Sequence, residues 1–173
     1  MSVLETERLL FRQHEPGDLE PFCAMESDAE YRGPQPVHPR AELERSFREA
    51  WLPPKSMGLL ATVYKPEGRY IGRCGLYPHR NDDGKVLAGK AVLAYYLARP
   101  YWGQGLATEA GRAFVDYGFD VLGLSVITAA MNVKNLASTR VVEKLGFIRV
   151  RSGEGGGSRW HEYELHSPHG RTG

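Results

Sequence analysis

This sequence has few cysteines and almost no net charge. It has two cysteines, Cys23 on a predicted helix and Cys74 in a predicted strand, which form neither a disulfide framework nor a metal-binding spacing. We therefore expect two buried free thiols and no metal. The 22 basic residues oppose 21 acidic ones, which leaves a formal net charge of +1. Because this charge creates no global field, we expect neither nucleic acid nor a membrane as a partner.

A long apolar run is also missing. The start of the chain carries Glu5, Glu7 and Arg8 where a secretory signal would need apolar residues, and no segment reaches about eighteen consecutive apolar residues. We therefore predict a cytoplasmic protein. With 173 residues, 42% of them hydrophobic, the sequence predicts one domain over residues 1–173. Residues 166–173 lack a period and are expected to fray.

Apolar periodicity predicts alternating strands and helices. Strands are predicted at residues 6–12, 59–64, 70–76, 88–97, 125–130, 147–151 and 160–165, and helices at 18–27, 40–51, 106–121 and 135–145. Residues 65–69 and 81–84 carry turn signals, and the glycine-rich residues 153–157 are predicted to form a mobile connection. This alternation indicates an α/β sandwich with a mixed sheet.

The turn between the strand 88–97 and the helix 106–121 contains Gly103 and Gly105, which have no side chains to block a ligand. The first N–H groups of a helix have no acceptor inside it, and the helix dipole adds positive charge there. Such a turn can bind a phosphate without a lysine. A tight turn that binds nothing is the plain alternative.

Two nucleotide motifs fit this turn poorly. A dinucleotide fingerprint needs a third glycine where the sequence has Thr108, and an acidic residue about twenty positions on, where residues 127–131 have none. A Walker loop needs a lysine followed by serine or threonine, which is missing after Gly103. A nicotinamide cofactor and a nucleotide triphosphatase are disfavoured, and the pyrophosphate of coenzyme A remains.

Residues 102–110 resemble the acyl-CoA loop of the GNAT acyltransferase superfamily, whose pattern is Arg or Gln, two residues, Gly, one residue, then Gly or Ala. Gly105 and Ala107 match the end of this pattern, whereas Trp102 occupies its first position, as is common in the RimJ/RimL-like branch. Residues 132–147, with Asn135, Ser138 and the run Glu-Lys-Leu-Gly-Phe, are similar to a second motif of that branch.

The second motif can also be interpreted without the family. Asn135 is a good N-cap for a short helix, and Gly146 is suited to a left-handed residue after its end. Helical spacing predicts that Ser138 lies beside an apolar face. That face consists of Ala137, Val141 and Leu145. Plain capping by Asn135 and a local hydrogen bond from Ser138 remain open beside a cofactor contact.

The resemblance covers residues 6–165 and implies the GNAT fold, with a mixed, mostly antiparallel sheet, flanking helices and two central strands that splay apart after Leu97. It implies an N-acetyltransferase that moves an acetyl group from acetyl-CoA to a protein N-terminal α-amine or a small-molecule amine. A homodimer is left open. The implied cofactor contacts are Tyr96, Leu97, Trp102, Gly103, Gln104, Gly105, Leu106, Ala107, Thr108, Asn132, Asn135 and Ser138.

The resemblance also implies catalytic roles. A backbone N–H near Tyr96 or Leu97 would stabilise the oxyanion, and such a donor can contribute roughly 3 kcal/mol. Ser138 would act as general acid or orient the sulfur, because a thiol with a pKa of about 8.5 leaves readily as a thiolate. Many relatives carry a glutamate base at the position of Val92, so the base of this chain is unknown. Candidates are His79, Glu154, His161 and Glu162, each with solvent exposure as its plain interpretation.

The acceptor is the least determined part of the interpretation. An α-amine with a pKa of about 8 needs a base less than an alkyl amine with a pKa of about 10, which fits N-terminal acetylation. Residues 31–39 are predicted to form the acceptor loop. Aromatic side chains that could wall the acceptor are Tyr31, Trp51, Tyr77, Tyr101 and Trp102. A non-catalytic acyl-CoA-binding module and a transferase for a larger donor such as succinyl-CoA are the alternatives.

Overall fold

The computed structural model describes residues 2–33, 35–54, 57–155 and 157–169. The strands are β1 (Ser2–Glu5), β2 (Leu9–Arg12), β3 (Gly58–Tyr64), β4 (Arg69–Arg80), β5 (Val86–Leu97), β6 (Val126–Asn132), β7 (Ile148–Gly155) and β8 (Ser158–His166). The α-helices are α1 (Leu19–Glu26), α2 (Ala29–Arg32), α3 (Arg40–Ser46), α4 (Leu106–Asp116) and α5 (Leu136–Lys144). No helix in these ranges is long and apolar enough to span a bilayer.

Within the described ranges, the eight strands form one sheet in the order β1-β2-β3-β4-β5-β6-β8-β7. Among the neighbouring strand pairs of this sheet, only the pair β5 and β6 is parallel, and the others are antiparallel. A mixed, mostly antiparallel sheet with flanking helices confirms the predicted fold class. The parallel pair matters for function because α4 follows β5 and α5 follows β6, so both helices begin at the same edge of the sheet.

Some predictions about the strands and their connections need correction. The predicted strand 6–12 is a hairpin of β1 and β2, because the backbone turns where Thr6 N donates to Leu9 O. Residues 153–155 are not a mobile connection, since they belong to β7 and pair with β8. Residue 156 lies outside the described residues. In the tail, His166 ends β8 and Ser167 N donates to Ser125 O, and residues 170–173 lie outside the described residues.

Two predicted helices end in wider turns. The helix expected at residues 40–51 is α3 followed by a π-turn at Phe47–Trp51, and the helix expected at 106–121 is α4 followed by one at Tyr117–Val121. The short helix α2 occupies part of the expected loop 31–39, because the Asp28 carboxylate accepts hydrogen bonds from the first N–H groups of α2. Residue 34 of that loop lies outside the described residues.

Two apolar cores lie on opposite faces of the sheet. The larger core packs α4 and α5 against the central strands and includes Leu97, Leu106 and Leu145. The smaller core joins α1 to α3 and contains Phe22, Cys23, Leu43 and Phe47. Cys74 lies in the larger core, so both thiols are buried and free, as predicted.

Close packing holds α4 to α5. A Cβ atom added to Gly111 of α4 would come within 2.6 Å of Leu145 Cδ1. Only glycine therefore allows the two helices to approach this closely without a shift of Leu145. The contact fixes the helices that begin beside the ends of β5 and β6.

Candidate active site

The parallel strands β5 and β6 pair over only part of their length. Their register runs from Lys90 and Val126 to Val92 and Thr128. Beyond that point β5 continues along β4 to Leu97, while β6 continues along β8 to Asn132. The two strands therefore splay apart after Val92, not after Leu97 as expected. Each strand follows its long antiparallel neighbour, and this opens a gap between them.

The backbone of β5 presents N–H and C=O groups to this gap. Ala98 N donates to Ile71 O at 2.8 Å, and hydrogen-bonded and non-hydrogen-bonded pairs alternate along an antiparallel ladder. The N–H and C=O groups of Leu93, Tyr95 and Leu97 therefore point away from β4, towards β6. The carbonyl of Leu97 is already used, because Trp102 Nε1 donates to it at 2.6 Å.

The glycine turn at the end of β5 has the conformation that glycine favours. Gly103 and Gly105 have φ values of +72° and +77°, and Gly105 is the N-cap residue of α4. A Cβ atom on Gly103 would meet no other atom within 4 Å, so the outer surface of the turn is open. The first N–H groups of α4 thus face a space in which an anion can bind.

Glu109 on α4 braces this turn from behind. Its carboxylate accepts hydrogen bonds from Thr6 Oγ1 at 2.6 Å, from Arg8 N at 2.9 Å and from Arg8 Nε at 2.7 Å. Arg8 Nη1 in turn donates to Gln104 O at 3.0 Å. Burial alone would raise the pKa of Glu109, but the hydrogen bonds from Thr6 and Arg8 outweigh it and hold the pKa below its ordinary value.

The second motif lies on the other side of the gap. Asn135 Oδ1 accepts a hydrogen bond from Ser138 N at 3.1 Å, which confirms the predicted N-cap, and Gly146 has the expected positive φ of +92°. Asn132 Oδ1 accepts one from Lys134 N and shapes the turn before α5. Ser138 is half-buried on the inner side of α5.

The apolar face of α5 differs from the prediction by one residue. Val142 is fully buried and Leu145 is buried, but Ala137 is exposed. Ser138, which is half-buried, rather than Ala137 takes the inward position in the first turn of α5.

Tyr95 links the two sides of the gap. Its hydroxyl donates to the carbonyl oxygen of Ser138 at 3.1 Å, so β5 is joined to the first turn of α5. Burial raises the pKa of Tyr95 above its ordinary value, which keeps the phenol protonated as a donor. The sequence indicates only a strand at Tyr95, because a tyrosine in an apolar run gives no signal of such a contact.

Several predicted cofactor residues have side chains engaged within the protein. Leu106 is 1% exposed and packs in the larger core, so only its backbone remains for a ligand. Gln104 Nε2 donates to Pro100 O at 2.8 Å. Tyr96 and Trp102 are exposed, whereas Ala107 and Thr108 are half-buried. The predicted cofactor residues therefore lie around one gap, and most of them would offer a ligand their backbone groups.

The candidate bases are not all close together. Directly paired residues project from the same face of a sheet, so Tyr77, Val92 and Thr128 share one face. His79 lies two residues after Tyr77, and its Nδ1 is 2.9 Å from Thr128 Oγ1. Glu162 pairs with Ala130 and also lies on this face.

The other two candidates lie elsewhere. His161 pairs with Met131 on the opposite face, where its ring packs near Tyr163 of the larger core. Glu154 is exposed and forms an ion pair with Arg159 at 3.1 Å. Of the four residues, the structure brings only His79 and Glu162 to the face of Val92.

A buried arginine marks the face opposite α4 and α5. Arg73 on β4 donates to Glu26 of α1 at 2.7 Å, and its guanidinium lies 4.6 Å from the Trp51 ring and 5.1 Å from the Tyr96 ring. Tyr31 Oη is 3.4 Å from Glu26 Oε1. Arg73 was not among the predicted site residues, although a single basic residue inside the predicted strand 70–76 was a usable signal.

The predicted aromatic wall is divided between the two faces. Tyr31 and Trp51 belong to the surroundings of Arg73, and Tyr77 lies on the same face as Val92. Tyr101 instead packs on Tyr64 and donates to Glu67 Oε2, and Trp102 turns back to Leu97. Only the first three aromatic residues can therefore border an acceptor beside Val92.

Comparison with known proteins agrees with this geometry. A family model described as an acetyltransferase (GNAT) domain matches residues 8–148. An uncharacterized N-acetyltransferase from Bacillus licheniformis, p20, is 29% identical over 153 residues, which is 85% of this chain and 83% of that protein. The uncharacterized protein YkkB from Bacillus subtilis is 38% identical over 82 residues, and this match spans 47% of this chain and 45% of YkkB.

The fold is shared with a solved enzyme structure. Spermidine N-acetyltransferase from Vibrio cholerae, solved in complex with CoA and spermine, superposes with a TM-score of 0.74 over 94% of this chain and 97% of that chain. Because the two sequences are only 18% identical, the likeness shows a shared fold and not a shared substrate. The family model covers most of the chain and includes the glycine turn and the Asn135 motif. The protein is therefore an acyltransferase that belongs to the GNAT acetyltransferase family.

Proposed function

We propose that this chain transfers the acetyl group of acetyl-CoA to an amine, either a protein N-terminal α-amine or the amine of a small molecule. The observation that carries the proposal is the gap between β5 and β6 beyond Val92 and Thr128. The backbone groups of Tyr95 and the N–H of Leu97, which lie beyond the last pair of β5 and β6, can hold an extended pantetheine arm as they would hold an added strand.

The glycine turn supports a pyrophosphate site at one end of this arm. Backbone N–H groups of Gly103, Gly105 and the first turn of α4 would bind the phosphates, while Trp102 and Gln104 stabilise the turn through Leu97 and Pro100. On the opposite side, Asn132 and Asn135 shape the start of α5. The family and the CoA bound to the Vibrio cholerae enzyme support acetyl-CoA as the donor.

We assign the oxyanion donor to the backbone N–H of Leu97 rather than to that of Tyr96. The alternation along β5 directs the Leu97 N–H towards the gap and that of Tyr96 towards β4. Ser138, on the facing helix, would orient the departing sulfur or protonate it. The thioester supplies the electrophilic carbonyl, and the neutral amine attacks it directly.

The motifs support a place in the RimJ/RimL-like branch. Trp102 at the first loop position and the Asn135 and Ser138 spacing are the features of this chain that favour it. The acceptor would approach from the face of Val92, which Tyr77 and Tyr96 border with rings that are 40% and 44% exposed. A cytoplasmic location and a homodimer remain predictions.

The test is a coupled assay of thiol release from acetyl-CoA, with a peptide that has a free N-terminus and with spermine as probes. We expect release that depends on the acceptor, and acetylated product by mass spectrometry. Tight binding of CoA without release across a broad amine panel would favour a non-catalytic binding module. Faster release from succinyl-CoA than from acetyl-CoA would favour the larger donor.

A further inference from the structure

His79 and Thr128 form a polar contact at the point where β5 and β6 separate. His79 belongs to β4 and Thr128 to β6, so the imidazole reaches across the intervening strand β5. Its Nδ1 atom lies 2.9 Å from Thr128 Oγ1. Thr128 is 2% exposed and is the register partner of Val92. The imidazole is therefore held beside Val92, the last residue of β5 that pairs with β6.

We propose that His79 is the general base of this enzyme and that Thr128 positions it. This inference rests on the proposed acetyl transfer. His79 is half-buried, so its ring is anchored through Nδ1 while solvent and an acceptor can still reach the face on which it lies. Glu162, the other candidate on this face, is less suited because Arg151 Nε already occupies its Oε2 at 2.8 Å.

The contacts of Thr128 are compatible with the tautomer that a base needs. The hydroxyl of Thr128 lies 3.4 Å from the carbonyl oxygen of Ala91, to which it can donate its proton. The hydroxyl oxygen can then accept a hydrogen bond from Nδ1–H of the neutral imidazole, 2.9 Å away. In this tautomer, which the proposal requires, Nε2 carries the lone pair and can accept a proton.

The proton and electron changes balance with His79 in this role. The acceptor R–NH₃⁺ gives one proton to Nε2, and the lone pair of the neutral amine forms the N–C bond with the thioester carbonyl carbon. The C–S bond breaks and its electron pair leaves with sulfur. The second amine proton goes to the thiolate to give CoA–SH. His79 then returns its proton to solvent.

Other titratable groups surround the pair on this face of the sheet. Lys90 of β5 forms an ion pair with Glu164 of β8 at 3.5 Å, and Glu164 is the register partner of Thr128. Titratable and charged side chains that the strand register places on this face, or that lie next to His79 in sequence, include Arg73, Tyr77, Arg80, Lys90, Tyr96, Arg151, Glu162, Glu164 and His166. Because so many of these groups share the face, the pH profile is compared between variants rather than interpreted alone.

The decisive variant is His79→Asn, whose amide N–H can replace Nδ1–H towards Thr128 but which has no counterpart of Nε2. We expect the rate of acetyl transfer to fall about 100-fold at pH 7. The pH profile of this variant should differ from that of the wild type and rise only towards the pKa of the amine. Thr128→Val should change the pH profile in the same way with a smaller loss of rate.

Rescue separates a base from a structural residue. Val92→Glu in the His79→Asn background places a carboxylate on the same face. The rate of this double variant should be about tenfold higher than that of His79→Asn. His161→Asn makes the same substitution on the opposite face and should leave the rate unchanged. Full activity of His79→Asn, or no rescue by Val92→Glu, would overturn the base assignment.

The assignment has a readout that does not use an acceptor. Long-range nitrogen–proton NMR spectra should show the Nδ1–H tautomer for neutral His79, and the Nε2–H tautomer would contradict the proposal. Absence of transfer by the wild-type chain to any amine would overturn the proposed function and the base with it. Transfer by the wild-type chain that survives in His79→Asn would overturn the base alone.

Discussion

The hydroxyl of Tyr95 donates a hydrogen bond to the carbonyl oxygen of Ser138 across the gap between β5 and β6. The strand that would bind the pantetheine arm is thereby tied to the helix that carries the candidate acid. This hydrogen bond joins the two parts of the site, in addition to the packing of α4 on α5.

Tyr95→Phe removes this tie without changing the shape of the ring. We expect a loss of about 1 kcal/mol in the free energy of unfolding, because the buried hydrogen bond is lost. The dissociation constant for acetyl-CoA should rise as the start of α5 moves away from β5. Chemical denaturation and calorimetric titration measure the two effects. Tyr31→Phe, on the opposite face, should leave acetyl-CoA binding unchanged. An unchanged affinity in Tyr95→Phe would show that the hydrogen bond to Ser138 does not position α5 for binding.

Ser138→Ala should lower turnover more than acetyl-CoA affinity. The expected decrease in kcat is about tenfold, which is modest because the thiolate is a good leaving group at neutral pH. Steady-state kinetics with the best acceptor and direct titration of acetyl-CoA separate the two parameters. Thr139→Val, which removes the neighbouring hydroxyl that contacts Met131 Sδ, is the control. Equal kcat values for Ser138→Ala and the wild type would exclude a catalytic role.

Gly105→Ala tests the left-handed start of α4. A side chain at φ +77° should cost about 1 kcal/mol of stability and displace the first N–H groups of α4, so that acetyl-CoA binds more weakly. Gly123→Ala is a matched control, since Gly123 has φ +63° and a Cβ atom there meets nothing within 4 Å. Both variants should lose similar stability, but only Gly105→Ala should lose affinity. Equal affinities would argue against a phosphate site at this turn.

Glu109→Gln tests the brace behind the glycine turn. The pKa of Glu109 is lower in the folded chain than its ordinary value of 4.5, so its contribution to stability is present above that pH. This contribution is lost as the pH falls below about 4.5 and through the lowered folded value. The variant should lose about 1 kcal/mol at pH 7 and show a weaker acid dependence in denaturation curves between pH about 3 and 7. Asp116→Asn, at an exposed position of α4, should behave like the wild type.

Local signals predicted the elements that carry the cofactor turn. Gly103, Gly105 and the apolar spacing after Leu106 indicated a strand, a turn and a helix, and the structure contains them. The cap by Asn135 and the left-handed Gly146 were equally readable, since both depend on residues within one helix. The hairpin of β1 and β2 was missed because two four-residue strands joined by a charged turn give little periodicity.

Contacts between distant strands could not be predicted in this way. The sequence suggested His79, Glu154, His161 and Glu162 equally as bases, because their residue types are alike in reactivity. The strand register then separated them between the two faces of the sheet. The start of the splay at Val92 was likewise misplaced, since it depends on how far β5 and β6 each follow a different neighbour.

The sequence by itself determined the glycine turn and the capped helix of the proposed donor site, because each is built from neighbouring residues. Tertiary structure alone decided that Tyr95 meets Ser138, that Glu109 holds Arg8, and that His79 reaches Thr128. These partners are 43, 101 and 49 residues apart in sequence. Their meeting depends on strand order and register, which follow from the packing of the whole sheet and not from any local pattern.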